Sequence, residues 1–123
     1  MIANRQIASN RIMVVDDHEA ARCGIRWVLA ADPTLDVVCE AADAEEALAK
    51  VQELRPDIIL LDISLPGESG IQAAAKVRAF SPESRIIFVS QHDSVQIARR
   101  DLIGTKVIGF YRFEDFGFLA FPR

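Results

Sequence analysis

The chain has 123 residues, half of them apolar and 26% charged, which fits one globular domain with a core of its own and leaves little room for a second. Its formal net charge is −4, so direct DNA binding, which needs a basic surface, is not expected. No run of about 18 apolar residues is present, and a cytoplasmic protein without a membrane span is the expectation. Cys23 and Cys39 have no CxxC spacing and sit in periodic apolar segments, the pattern of buried reduced thiols.

Residues 1–10 read as a polar lead-in, and residues 11–123 as a single domain. "RIMVV" (Arg11 to Val15) is a β-branched run that reads as a buried strand ending at Asp16-Asp17. Ala21, Ile25, Val28 and Leu29 then recur at helical spacing between His18 and Ala31, and "ADPT" ends that helix. "LDVVCEA" is a second strand. Asp43 caps a second helix, with Glu46 three residues on as a capping box, and Arg55-Pro56 stops it.

"DIILLD" is apolar without alternation, as a central parallel strand covered on both faces should be. A third helix runs from about Gly70 to Phe80, then "RIIFVS" forms a fourth strand. Asp93 and Gln96 suit a capping box for a fourth helix. "KVIGFY" (Lys106 to Tyr111) is a fifth strand, and a short or irregular fifth helix starts near Glu114. Strand and helix alternating in this way predict an α/β, doubly wound parallel sheet, with the flavodoxin-like order 2-1-3-4-5 favoured.

In such sheets ligands bind beyond the carboxyl ends of the strands, where the strand order reverses. Here that crevice receives Asp16 and Asp17 from the first strand and Asp62 from the third, with Ser90 at the end of the fourth. Clustered carboxylates raise one another's pKa unless a cation compensates. An all-oxygen donor set suits Mg²⁺. A carboxylate beside that ion can act as nucleophile toward phosphorus. Asp62 is then the expected nucleophile, Asp16 and Asp17 the metal carboxylates, Ser64 a metal ligand through its carbonyl, and Ser90 a hydroxyl donor to a phosphoryl oxygen. Pro66-Gly67 and Gly70 let the loop after Asp62 fold tightly. His18 reads as the start of the first helix and His92 as a loop residue, neither with a metal-ligand partner at suitable spacing. Trp27 reads as core or half-buried, and Ser69 as a cap or turn former.

At these residues the sequence resembles the receiver domain of two-component response regulators, in the subgroup usually joined to a LuxR-type helix-turn-helix. "VVDDHEAARCGIRWVLAADPTLDVVCEAADAEEAL" resembles the opening of that subgroup. "RPDIILLDISLPGESG" carries the family's phosphoacceptor spacing, and "RIIFVSQHD" its fourth-strand end. The resemblance implies phosphoryl transfer from a sensor histidine kinase onto Asp62, an Mg²⁺ pocket at Asp16 and Asp17 with Asp17 as direct ligand, a switch hydroxyl at Ser90 and a switch aromatic at Phe110. It implies a phosphoacceptor rather than an enzyme with turnover on a substrate.

Three departures qualify that expectation. The family's lysine at the end of strand five falls on Phe113, one residue past Arg112. Lys106 lies at the other end of the strand, roughly 20 Å away, and one step along a strand reverses side-chain direction at Arg112. Gln91 is larger than the residue usual there. Five of the seven phenylalanines fall between Phe110 and Phe121, which points to a homodimer or a protein partner through the face of helix four, strand five and helix five, or to packing onto the sheet. The expected function is therefore an attenuated phospho-accepting receiver. The alternatives are a degenerate receiver that acts as a phosphorylation-independent interaction module, and an aspartate-nucleophile phosphatase, against which Ser64 speaks because that class places a second aspartate there.

Overall fold

The computed structural model describes residues 9–89 in full and residues 90 and 107–112 by their backbone. Residues 1–8 of the lead-in, the fourth helix with its Asp93–Gln96 pair, the fifth helix, and Gln91, His92, Lys106 and Phe113 lie outside the described residues, and Asn10 belongs to the first strand.

Three βα units form in chain order: β1 (Asn10–Val15), α1 (Glu19–Leu29), β2 (Leu35–Ala41), α2 (Ala44–Leu54), β3 (Ile58–Asp62) and α3 (Gly70–Phe80). Strand β4 (Arg85–Ser90) follows. The four strands are parallel in the order β2-β1-β3-β4, and the backbone of β5 (Val107–Arg112) lies beside β4. This is the flavodoxin-like arrangement of a doubly wound sheet.

Side chains alternate across the strands, so the sheet has two cores. Met13, Val15, Ile59, Leu61, Ile86 and Phe88 point to the face covered by α2 and α3. Ile12, Val14, Ile58, Leu60, Ile87 and Val89 point to the face covered by α1 through Ile25 and Leu29. Every residue of β3 is buried, which is why its sequence shows no polar alternation. Burying each such aliphatic side chain contributes roughly 1.5–3 kcal/mol.

Helix ends follow local chemistry. The Asp43 carboxylate accepts from the Glu46 N–H at 2.8 Å, and the Glu46 side chain reaches back to the Ala42 N–H at 2.8 Å, one residue earlier than a capping box requires. Ser69 makes the complete box on α3, with Gln72 as its partner. Arg55 ends α2 in the left-handed conformation with φ 43°, immediately before Pro56.

Two readings are corrected here, Trp27 as core or half-buried and the cysteines as buried. Trp27 is 81% exposed; it lies on the far side of α1 from the Ala21–Ile25–Leu29 stripe. Cys23 is exposed and Cys39 half-buried, and both are free thiols. No helix among the described residues is long and apolar enough to cross a membrane.

Candidate functional site

The carboxyl ends of β1 and β3 lie side by side. Val15 pairs with Leu61, so Asp16 and Asp62 come next on adjacent strands. Asp62 in turn pairs with Val89, one residue before Ser90. The backbone register sets Ser90 opposite Arg112. The switch point therefore receives Asp16, Asp17 and Asp62 from their strand ends, with the Ser90 backbone one strand further on.

Asp16 is 4% exposed and Asp62 9%. Each folds its carboxylate over the following loop. Asp16 Oδ1 accepts from the His18 N–H at 2.9 Å, and Asp62 Oδ1 accepts from the Ser64 N–H at 3.0 Å. These short turns engage one oxygen of each carboxylate, Oδ1. Asp17 is more open than Asp16.

Burial raises the Asp62 pKa above the ordinary aspartate range. The bond from Ser64 opposes this, while the negative charges of Asp16 and Asp17 add to it. Asp62 thus feels both aspartates. The ligand atoms that lie within 4.8 Å of one another belong to Asp16, Asp17 and His18. Asp62 stands outside that set, so the crowding of three carboxylates at one point is met by two of them and an imidazole. His18 Nδ1 lies 3.1 Å from Asp17 Oδ1 and 3.4 Å from Asp16 Oδ1. His18 is the N-cap of α1, as its place in the sequence implies, but its ring turns back onto the acidic pair, which sequence spacing alone did not assign. The carboxylates of Asp16 and Asp17, with the raised Asp62 beside them, fit a hard divalent cation, which keeps several of its waters and so reaches ligands bridged through them.

The loop after Asp62 is tight. Gly67 takes φ 78°, a left-handed conformation that glycine adopts without steric cost. Gly70 N–H closes the loop on the Ile63 carbonyl at 2.8 Å. A Cβ at Gly70 would stand 2.1 Å from the Asp62 carbonyl oxygen. Helix α3 can start against the strand end that carries Asp62 only because residue 70 has no side chain.

Behind β1, Arg22 of α1 spans two strands. Its Nη1 donates to the Asp16 carbonyl at 2.6 Å and its Nε to Glu40 Oε1 at 2.9 Å. Arg26 Nη1 takes the other Glu40 oxygen, and Lys50 Nζ donates to the Glu40 carbonyl.

A doubly wound sheet with acidic residues at its switch point defines a class of flavodoxin-like domains. The chain belongs to the response regulator receiver domain family, whose model matches residues 12–107. It is similar to Response regulator GacA of Pseudomonas viridiflava, 40% identical over 80 residues, covering 65% of this chain and 37% of that protein. It is 35% identical over 92 residues to Transcriptional regulatory protein DegU of Brevibacillus brevis, covering 73% of this chain and 39% of that protein. The receiver domain of the putative response regulator NarL from Mycobacterium tuberculosis superposes with a TM-score of 0.77 at 34% identity, covering 86% of this chain and 85% of that one. These relatives set the chain in the NarL-like subgroup. The chain spans less than two fifths of the length of the curated relatives it matches.

Proposed function

We propose that the chain is a phospho-accepting receiver that takes a phosphoryl group from a sensor histidine kinase onto Asp62. The observation that carries this reading is the placement of Asp62 at a buried strand end, electrostatically coupled to Asp16 and Asp17. A carboxylate oxygen of Asp62 attacks phosphorus as the phosphorus–nitrogen bond to the kinase imidazole breaks, and the imidazole keeps the electron pair. Asp16, Asp17 and Asp62, with the Ser64 carbonyl, are the residues to hold Mg²⁺, which when bound neutralises charge on the transferring group. The chain's own part is positioning: β3 holds Asp62 rigidly, and the turn through Ser64 fixes one of its oxygens. The Ser90 hydroxyl is the donor to a phosphoryl oxygen.

Phosphorylation is attenuated in this reading, because Phe113 stands where the family has lysine and one fixed cation at the phosphoryl oxygens is lost. A partner, or a second copy of the chain, reads the state through the face of helix four, strand five and helix five. DNA contact is not assigned to this domain.

Incubation with Mg²⁺ and acetyl phosphate, followed by intact-mass measurement, tests the assignment. A slow gain of one phosphoryl group, abolished by Asp62→Asn, is expected. No gain with acetyl phosphate or with a phosphorylated kinase domain would establish the interaction-module alternative instead.

A further inference from the structure

We propose that Arg22 is a positioning residue for the divalent-cation pocket, acting through the main chain of Asp16 and anchored by Glu40; this rests on the receiver reading above. Four observations converge on it. Arg22 sits one turn into α1, and its side chain is only 17% exposed. Its Nη1 donates to the Asp16 carbonyl at 2.6 Å, the peptide unit that leads into Asp17. Its Nε is held by Glu40 Oε1 at 2.9 Å. The Asp16 N–H is itself tied to the Ala41 carbonyl of β2 at 3.0 Å.

The Asp16 backbone is therefore pinned at both ends: its N–H by Ala41 of β2, and its C=O by Arg22 of α1, itself held on Glu40 of the same strand. The carbonyl bond fixes the plane of the Asp16–Asp17 peptide, and with it the direction in which the Asp17 side chain leaves the backbone. The carboxylates take no part in this clamp and stay available to the crevice. Arginine suits the task because its rigid fork presents Nε and Nη1 to two acceptors at once, whereas a lysine ammonium is a point donor on a flexible stem.

Glu40 has a second effect. Its single negative charge is shared between Arg22 and Arg26, so it offsets only part of the positive charge these side chains bring beside a cation site. Both of its oxygens are used, by Arg22 and Arg26, and Lys50 holds its carbonyl. Loss of an outer partner of this kind typically lowers metal affinity about 10- to 100-fold. A group that acts through a carbonyl, rather than on a ligating oxygen, belongs at the lower end.

The sign of the effect separates positioning from charge. Removing a cation next to a cation site strengthens metal binding if charge alone matters. Removing a clamp weakens it. The test is a calorimetric titration of Mg²⁺ into the wild-type chain, Arg22→Met and Arg22→Lys, with thermal unfolding in EDTA as a parallel measurement. Arg22→Met keeps the apolar stem and loses the donors; Arg22→Lys keeps the charge and loses the fork. We expect about tenfold weaker Mg²⁺ binding in Arg22→Met and nearly the same loss in Arg22→Lys, with both chains still unfolding cooperatively. Unchanged or tighter binding in Arg22→Met, or full affinity in Arg22→Lys, overturns the proposal. If Arg22→Met does not fold, Arg22→Lys decides by the same criterion. A wild-type chain with no saturable Mg²⁺ binding overturns the pocket itself, and the clamp with it.

Discussion

Residue 70 lies tight against the Asp62 backbone, and Gly70→Ala probes that approach. An added Cβ meets the Asp62 carbonyl oxygen at 2.1 Å and the Ile63 Cα at 2.8 Å. Real Cβ atoms essentially never come within 3.0 Å of such neighbours, so the strand end and the helix start must part by about 0.9 Å. Both neighbours are backbone, and no side chain can rotate aside. Overpacking of this kind costs about 1–3 kcal/mol. The closing bond from Gly70 N–H to the Ile63 carbonyl weakens as well, at about 1 kcal/mol. Alanine recovers less than about 1 kcal/mol through helix propensity and a less flexible unfolded chain.

The net loss is about 1–3 kcal/mol, or roughly 4–12 °C in Tm for a domain of this size. Because the displaced atoms belong to Asp62 and Ile63, phosphorylation by acetyl phosphate falls too. Gly24→Ala is the control: nothing lies within 4 Å of a Cβ there, and the residue sits on the exposed side of α1, so a gain of about 0.5–1 kcal/mol is expected. Thermal denaturation of the three proteins settles the matter. A Gly70→Ala chain as stable as wild type would refute the close approach and the rigid seating of Asp62 that follows from it.

Three further outcomes are expected. Asp62→Asn stabilises the metal-free protein at neutral pH: burial and the charges of Asp16 and Asp17 raise the folded-state pKa, so the folded chain binds this proton more tightly and wild-type stability falls as pH climbs from about 3.9 through the raised value. Melting curves in EDTA should show the advantage of the variant vanishing at acid pH, and a gap independent of pH would contradict the assignment. Asp43→Ala removes the cap of α2 and should cost about 1 kcal/mol in urea unfolding; an unchanged midpoint would mean that the cap contributes nothing. Saturating Mg²⁺ should raise the Tm of the wild type by mass action and leave Asp17→Asn nearly unmoved, whereas an equal rise in both would take Asp17 out of the pocket.

The strands and their order were legible because each apolar run is short, β-branched and bounded by Pro, Gly or Asp, and because a parallel sheet with right-handed crossovers admits few arrangements. That Asp16, Asp17 and Asp62 come at the carboxyl ends of adjacent strands follows from topology and was also legible; that His18, and not Asp62, joins the acidic pair in one ligand set was not. Trp27 was misjudged by ranking it with its apolar neighbours. A step of 100° per residue puts it opposite Ile25, and its exposure follows from that angle. Cys23, on the same outward face of α1, failed for the same reason.

The ring of His18 and the reach of Arg22 to Asp16 and Glu40 depend on rotamers and on how α1 is rolled against β1 and β2. No residue spacing encodes either. The Arg22–Glu40 pair lies 18 positions apart, a separation that only the folded β1-α1-β2 unit converts into contact. Ser69 was legible as a cap or turn former, and the folded chain completes it as a capping box with Gln72.

A crystal structure of the wild-type chain soaked in Mn²⁺, with anomalous data, tests the shared cation pocket most directly. One peak in direct contact with carboxylate oxygens of both Asp17 and Asp62, with Asp16 alongside, is the predicted result. No peak at the switch point, or a peak held by Asp17 and His18 with Asp62 outside its coordination sphere, would contradict it.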